Sequence, residues 1–322
     1  MVKSREIHMI KLLDYISPEE YASVGRLMDL CCAQDRINLK LELDYKLHIG
    51  SLAAQDGHKH PGSKDEFLYY INEELVSYLG ISCFDNETGE LCGMTHPDWR
   101  NQGLFGRLLS LAAYECRHGR YKTLLLLSDD ASEAGMNYLK AKQYGYAHSE
   151  YRMKRTSPEQ ASPVIENAVV TDPKQTAEPS PLLRLRPARK EDEQEIARQN
   201  AILFHSSEET AAPDEPLEPS PLEDQQENCR TFMIELDGSV IGKIHIEYGD
   251  HYAFLYGFGI LPGYRKQGYG RRALKEVLQM LDAQGIPVNE LDVVCTNSNA
   301  LRLYQSCGFK EQSVMNYYHF TV

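Results

Sequence analysis

Two stretches of this 322-residue chain hold residue types whose spacing could do chemistry. The first, LPGYRKQGYGRR at 261–272, joins an apolar run to a helix-like run through Gly268 and Gly270, with cations at Arg265, Lys266, Arg271 and Arg272. The first turn of a helix has N–H groups without intrahelical partners and a partial positive charge, so it attracts an anion. Glycines there let a phosphate approach backbone nitrogen, and Arg265 with Arg271 or Arg272 can add charge-assisted bonds. A pyrophosphate is the natural guest. The commoner phosphate loops G-x-x-x-x-G-K-[ST] and G-x-G-x-x-G are both absent. The second stretch, NSNALRLYQSCGF at 297–309, places Ala300, Leu303 and Tyr304 at i, i+3 and i+4, hence on one helix face. Spacing alone makes that a packed face with Tyr304 partly buried.

Elements must hold these residues in place. Around them the sequence predicts a strand over 183–186, a helix over 190–204, and two strands about the Asp237-Gly238 turn. A further strand over HYAFLYGFGIL carries Tyr252, Phe254, Tyr256 and Phe258 on one face. A helix over 267–284, a strand over 288–295, a helix over 298–307 and a last strand over 311–320 complete this half. The first half repeats the pattern: strands in EFLYYINEELVSYLGISCF and GELCGMT, a helix over 103–118, the strand TLLLLS and a helix over 132–143. PDWRNQGLFGR at 97–107 overlies PGYRKQGYGRR at 262–272 at an offset of 165 (262 minus 97). Gly145-Tyr146 is read as the echo of Gly308-Phe309. The chain therefore looks like a duplication of a mixed α/β unit. Residues 157–181 hold five prolines and no aromatic residue, so the domains are placed at 1–155 and 182–322 about a Pro-rich linker, 156–181. A second such stretch, 206–228, has eight carboxylates, four prolines and no cation, and reads as a flexible surface loop. Its alternative reading is an attractor for a cationic amine.

Taken together and in this order, the two motifs resemble those of the GCN5-related N-acetyltransferase (GNAT) superfamily. Arg265-Lys266-Gln267-Gly268-Tyr269-Gly270 fits the superfamily's [RQ]-x-x-G-x-[GA] loop, and 297–309 fits N-x-x-A-x-x-L-Y-x-x-x-G-F. The resemblance implies two GNAT-like domains, each a splayed mixed sheet flanked by helices, that receive acyl-coenzyme A between the fourth and fifth strands. It implies that backbone N–H groups from Gln267 to Arg271 hold the pyrophosphate, that Ile260 and Leu261 pair with the pantetheine amides, and that Tyr304 protonates the leaving thiolate. Asn297 joins the cofactor-binding set. The activity implied is transfer of an acetyl group from acetyl-CoA, as co-substrate, to the primary amine of a small molecule or peptide; the alternative is a non-catalytic acyl-CoA sensor or scaffold. No carboxylate lies within 252–261, so Glu247 is the candidate base, with Asp292, Glu290 and a water wire ending at Tyr256 as alternatives. His245 and His251 read as tolerated polar residues.

The first copy departs from the pattern. Arg100-Asn101-Gln102-Gly103-Leu104-Phe105 keeps the arginine and first glycine, but Phe105 takes the small residue's place and Gly106 comes one position late. Counting back from Gly145 gives Ala141 where the second copy has Tyr304. Residues 1–155 are therefore expected to be a degenerate copy and catalysis to lie in the second. Thirteen residues follow Phe309 (322 minus 309), enough for one strand, so either the sheet is short or a strand comes from the other domain or a second subunit.

Composition narrows the partners. A formal net charge of −13 argues against nucleic acid and anionic lipid. No run of eighteen apolar residues exists and the amphipathic start is unlike a signal peptide, so a cytoplasmic protein without membrane contact is expected, as monomer or homodimer. Eight cysteines, none in C-x-x-C spacing, read as reduced core thiols, and the adjacent Cys31 and Cys32 carry no redox assignment. His58-x-His60 lacks a spaced third ligand and reads as a polar loop; Met94, Trp99 and Phe105 read as packing.

Overall fold

The computed structural model describes residues 6–56, 64–84, 87–117, 121–157, 181–204, 228–249 and 251–321. His58, His60, nearly all of the Pro-rich linker and the acidic loop up to 227 lie outside the described residues. The chain groups into two compact units, Met1–Tyr151 with Ser313–Val322, and Arg152–Gln312.

The first unit contains β1 (His8–Leu13), α1 (Pro18–Asp35), α2 (Leu43–Asp56), β2 (Glu66–Ile71), β3 (Glu74–Ser82), β4 (Thr88–Thr95), α3 (Leu104–Cys116), β5 (Thr123–Asp129) and α4 (Glu133–Lys142). To these it adds the first part of β6 (Gly145–Thr156) and most of the final strand, β12 (Lys310–His319). Its strands run in the order β1-β2-β3-β4-β5-β12-β6. Local rules explain the breaks. Ser17 accepts from the Glu20 N–H to start α1, with Pro18 in the first turn, and Asn72 and Glu73, both at positive φ, make the tight β2–β3 turn. Alternation then sorts the core: Phe67, Tyr69 and Ile71 pack with Leu104, Leu108 and Ala112 of α3, while Leu68 and Tyr70 pack with Val24 and Leu27 of α1. Both faces of the sheet are covered, which is why its central strands read as continuous apolar runs.

The second unit contains the Arg152–Thr156 end of β6, then β7 (Leu183–Pro187), α5 (Glu193–Phe204), β8 (Cys229–Leu236), β9 (Ser239–Tyr248), β10 (Tyr252–Ile260), α6 (Tyr269–Ala283), β11 (Val288–Val294) and α7 (Ser298–Ser306). Its order is β6-β11-β10-β9-β8-β7. Asp237 and Gly238, at φ 50° and 84°, make the β8–β9 turn read from the sequence. The eight cysteines are all free thiols. None of the described helices is long and apolar enough to cross a membrane.

Each unit takes strand material from the other repeat of the sequence. In the first, β12 pairs antiparallel with β5 from Met315↔Asp129 to His319↔Leu125, and Tyr317 is fully buried with its hydroxyl 2.6 Å from Glu150 Oε2 and 2.7 Å from Lys40 Nζ. In the second, Arg152 forks onto Asp292 (2.5 and 3.0 Å), and Arg155 onto Asp282 (2.9 and 2.7 Å) and the buried Asn289 (2.8 Å). The thirteen residues after Phe309 thus supply a strand to the first unit, a non-local pairing that no local pattern announces. Residues 182–322 expressed alone lack the Arg152–Thr156 neighbour of β11 and leave Ser313–His319 without β5. The expected result is a broad, non-cooperative thermal transition by far-UV circular dichroism, against a sharp one for the full chain. A sharp transition in the fragment would show the shared strands to be dispensable.

Candidate active site

The second unit's sheet opens where its motifs converge. β10 and β11 pair in parallel only through Tyr252↔Val288, Ala253↔Asn289 and Phe254↔Glu290, although β10 continues to Ile260 and β11 to Val294. From Leu255 onward β10 therefore presents an edge without a β11 partner. On its other side β10 carries a bulge: between Tyr256↔His245 and Gly259↔Lys243 it uses three residues where β9 uses two. Gly257, at φ 55°, makes the bend, and a Cβ there would sit 2.3 Å from His245 Cδ2. The bulge also corrects the expected strand face. Tyr256 stacks on His245, at 5.1 Å between ring centroids, and Phe254 stacks on Tyr256, whereas Phe258 has turned to pack with Ile260 and Ala273.

The edge runs directly into the cationic loop. Ile260 and Leu261 are buried, and Pro262–Tyr264 form one turn of 3₁₀ helix. Arg265 Nε donates to the Ile260 carbonyl (2.8 Å) and Gln267 Nε2 to the Gly263 carbonyl (3.1 Å), closing the loop on itself. Lys266 (φ 62°) and Gly268 (φ 85°) are left-handed, and the first bond of α6 runs from Arg272 N to the Gly268 carbonyl. The N–H groups just before Arg272 accordingly have no intrahelical acceptor. A Cβ at Gly270 would come into ordinary contact with Ile260, Leu303 and Phe258, and Arg271 Nε donates to Ser306 Oγ (3.0 Å), bringing α7 beside the loop. Among the described residues, no carboxylate is ion-paired with Arg265, Lys266 or Arg271.

Tyr304 stands on α7, half-buried, its ring 5.9 Å edge-on from Phe309, and burial pushes its hydroxyl up to about 12. It is thus a protonated donor across the neutral range. Asn297 caps α7, its Oδ1 accepting from Ala300 N (3.2 Å), which gives that residue a structural duty the motif did not reveal. The carboxylates are distributed differently. Glu247 pairs across from Phe254, in the part of β10 still joined to β11. Glu290 and Asp292 are engaged by Arg152, and Glu290 also by Lys154. His251 sits exposed before β10.

His245 is not an isolated polar residue. It belongs to a buried group missed in the sequence: Lys243 Nζ lies 2.7 Å from His245 Nε2 and 3.2 Å from the Gly257 carbonyl, and Thr231 Oγ1 lies 2.8 Å from His245 Nδ1. An ammonium only donates, so Nε2 accepts and Nδ1–H donates to Thr231. Burial and then the Lys243 charge lower the imidazole pKa to about 3, leaving it neutral and unable to act as a base near neutrality.

The first unit keeps the loop and loses its fittings. Asn101 (φ 61°) and Gly103 (φ 77°) repeat the left-handed pair, and Arg100 Nε donates to the Thr95 carbonyl (3.0 Å) as Arg265 does to Ile260. Its remaining nitrogens, however, are forked onto Asp35 (3.0 and 2.7 Å). Phe105, in Gly270's place, packs edge-on with Tyr138 at 5.4 Å, and β4 pairs with β3 without a bulge. The helix caps also revise the repeat alignment. Ser132 caps α4 as Asn297 caps α7, and left-handed Gln143, not Gly145, answers Gly308. Tyr304 then answers to buried Leu139 instead of Ala141, so the first copy still lacks a tyrosine there. The neighbouring Tyr138 is held up to about 12 by burial and by the hydroxyl of Tyr144.

Comparisons with known proteins bear on this geometry. Residues 199–309 match the family model described as "Acetyltransferase (GNAT) family". Over 95 residues the chain is 30% identical to the [Ribosomal protein bS18]-alanine N-acetyltransferase of Escherichia coli, a match covering 29% of this chain and 64% of that enzyme's length. It is 23% identical to the mycothiol acetyltransferase of Streptomyces griseus over 317 residues, covering 96% and 94% of the two chains. Among solved structures, a GCN5-related N-acetyltransferase from Sphaerobacter thermophilus aligns over 99% of this chain and 96% of its own, with a TM-score of 0.67 at 16% identity. A tandem GNAT protein from the clavulanic acid biosynthesis pathway aligns over 98% of both chains, with a TM-score of 0.61 at 12% identity. These two likenesses establish the fold of the whole chain.

Two outcomes follow from the bulge. Gly268→Ala meets nothing within 4 Å and should cost only the left-handed strain of about 1–2 kcal/mol. Gly257→Ala adds a clash with His245 and should cost more, as measured by urea denaturation. The His245 effect on stability is acid-side. Its native pKa lies below the usual 6.5, so on acidification the unfolded state takes up the proton first and the native state loses stability from about pH 6.5 to about pH 3. Over that window the wild type should weaken more steeply than His245→Gln in the same urea assay.

Proposed function

We propose that the second unit, whose residues 199–309 match the acetyltransferase (GNAT) family model, is an N-acetyltransferase that uses acetyl-CoA and acts on a primary amine of a small molecule or peptide. The observation that carries this reading is the end of the β10–β11 ladder at Phe254↔Glu290, with β10 continuing into the left-handed loop at 265–271 and Tyr304 on the adjacent helix. The side of β10 past the end of its ladder with β11 suits an extended pantetheine arm, which brings two amides of its own. The N–H groups at the start of α6, with Arg265, Lys266 and Arg271 around them, suit its pyrophosphate.

In the reaction the amine nitrogen attacks the thioester carbonyl, the C–N bond forms, and the C–S bond breaks from a tetrahedral oxyanion. Tyr304 gives its proton to the departing sulfur. The amine proton leaves through water toward Glu247, the candidate base. His245 suits that role less, because its basicity is depressed and its Nε2 already faces the Lys243 ammonium. The first unit, with Arg100 committed to Asp35 and Leu139 in the tyrosine's place, takes a supporting role.

Thiol release from acetyl-CoA over a panel of amines, amino acids, polyamines, aminoglycosides and peptides tests the assignment. Acetyl-CoA binding without turnover on any amine would favour a sensor. With an active amine in hand, Tyr304→Phe should lower kcat at least about tenfold, within the usual range for loss of a general acid, with little change in acetyl-CoA Kd. The acid is lost only as pH rises through about 12, so wild-type kcat should climb as the amine deprotonates and then hold level at alkaline pH. A descending limb near pH 8–9, about three units or more below that value, would remove Tyr304 from the role.

A further inference from the structure

The first unit has an opening of its own. The ladder between β4 and β5 ends at Leu91↔Leu126, although β4 continues to Thr95 and β5 to Asp129. Glu90 stands just inside that end, pairing with Ser82 and Leu125 as Phe254 pairs with Glu247 and Glu290 in the second unit. It lies on the face that α1 covers, because Cys92 and Met94, two and four residues further along β4, pack in one cluster with Val24 and Leu27 of that helix. The first unit thus carries a carboxylate on the strand that has none in the second, while the second carries its candidate base, Glu247, directly across from the same position.

An amine already stands at this place. Lys40, from the connection between α1 and α2, turns inward until its side chain is 14% exposed, and its ammonium lies 3.4 Å from Glu90 Oε2, 3.4 Å from Glu150 Oε2 and 2.7 Å from the Tyr317 hydroxyl. An ammonium has three N–H donors, and these oxygens come from three different strands, β4, β6 and β12. Tyr317 donates in turn to Glu150 (2.6 Å), and His148 stacks on the phenol at 4.3 Å between ring centroids, so the oxygens are themselves held in place. Two carboxylates and a phenol oxygen converging on one nitrogen make a receptor for an alkylammonium ion. The strands build the receptor, and a separate loop delivers the guest. The corresponding connection of the second unit, 206–228 between α5 and β8, contains neither lysine nor arginine to do the same.

We propose that the opening of the first unit is a binding site for a primary alkylammonium ion, and that the chain fills it with its own Lys40, at the position where the second unit takes its acceptor amine. The contact is autoinhibitory: an amine from solution finds the place occupied, and acyl transfer is confined to the second unit. Taking the ammonium away leaves Glu90, Glu150 and the Tyr317 hydroxyl converging on a poorly solvated space, a state that another cation with N–H donors relieves. The correspondence with the acceptor rests on the acetyltransferase reading, whereas the ammonium site itself stands on the first unit alone.

The test is chemical rescue in the full-length protein. Lys40→Ala opens the site, and n-butylammonium, which reproduces the lysine stem and head, should raise its melting temperature in a saturable way by about 2 °C or more beyond any shift of the wild type. Tetramethylammonium at the same concentrations carries the charge without N–H donors and should give no such excess. Lys40→Met keeps a stem in the space that the amine needs, so it should respond as the wild type does. The proposal is overturned if Lys40→Ala gains no more than the wild type, if Lys40→Met gains as much as Lys40→Ala, or if the two salts act alike. Should Lys40→Ala not fold unaided, its refolding yield in n-butylammonium against tetramethylammonium reads the same point, and equal yields overturn the proposal. The assay contains no acetyl-CoA, so its failure leaves the second unit's assignment standing, and an amine panel without turnover would overturn that assignment and leave this site.

Discussion

The ladder between β10 and β11 ends at Phe254↔Glu290 although both strands continue, and a strand that leaves its ladder inside a sheet must find other partners for its backbone groups. The rest of the second unit follows from that vacancy in the ladder. The bulge at Gly257 bends β10 away, the 3₁₀ turn at Pro262–Tyr264 redirects it, and the left-handed residues Lys266 and Gly268 deliver it to α6 with its first N–H groups outward. An extended ligand with amides at one end and phosphates at the other would suit both places. Neither of them is a side chain. Substrate capture of this kind depends on backbone shape, which is why the glycines matter as much as the cations.

The two repeats show which parts of that design are backbone and which are side chain. Arg100–Gly103 and Arg265–Gly268 have the same left-handed pattern and the same arginine-to-carbonyl bond, so the loop's shape survives in both. What differs is commitment. Arg100 is forked onto Asp35, Phe105 fills the space opened by Gly270, and Lys46 is matched by Glu66. Arg100 is thus tied to a carboxylate inside the first unit, whereas among the described residues no carboxylate is ion-paired with Arg265.

Much of this was legible in the sequence because the relevant signals are local. The phosphate-type loop, the Asp237-Gly238 turn and the Asn297-to-Phe309 helix each lie within a dozen or so contiguous residues, and their chemistry is that of caps and turns. The buried Lys243–His245–Thr231 group was not legible. In VIGKIHI, Lys243 and His245 alternate with Ile244 and Ile246, which is the pattern of a strand with one wet face. Both residues are nonetheless buried, so the alternation misleads. Single-residue slips had a similar origin. The bulge turned Phe258 off the expected face, and Gly145 drew the repeat alignment two residues past Gln143, the position that adopts the left-handed conformation.

The exchange of strands also bears on the order of events at the ribosome. The first unit's residues up to Tyr151 are synthesised well before Ser313–His319, yet β5 gains its β12 partner only when those residues emerge. Until then Leu125 and Leu127 line an open sheet edge, and the Lys40–Glu150 pair waits for the Tyr317 hydroxyl. Folding of the N-terminal unit is thereby timed by the C-terminal one, and a nascent chain stalled between the two would expose an unpaired, apolar strand edge of the kind that invites aggregation.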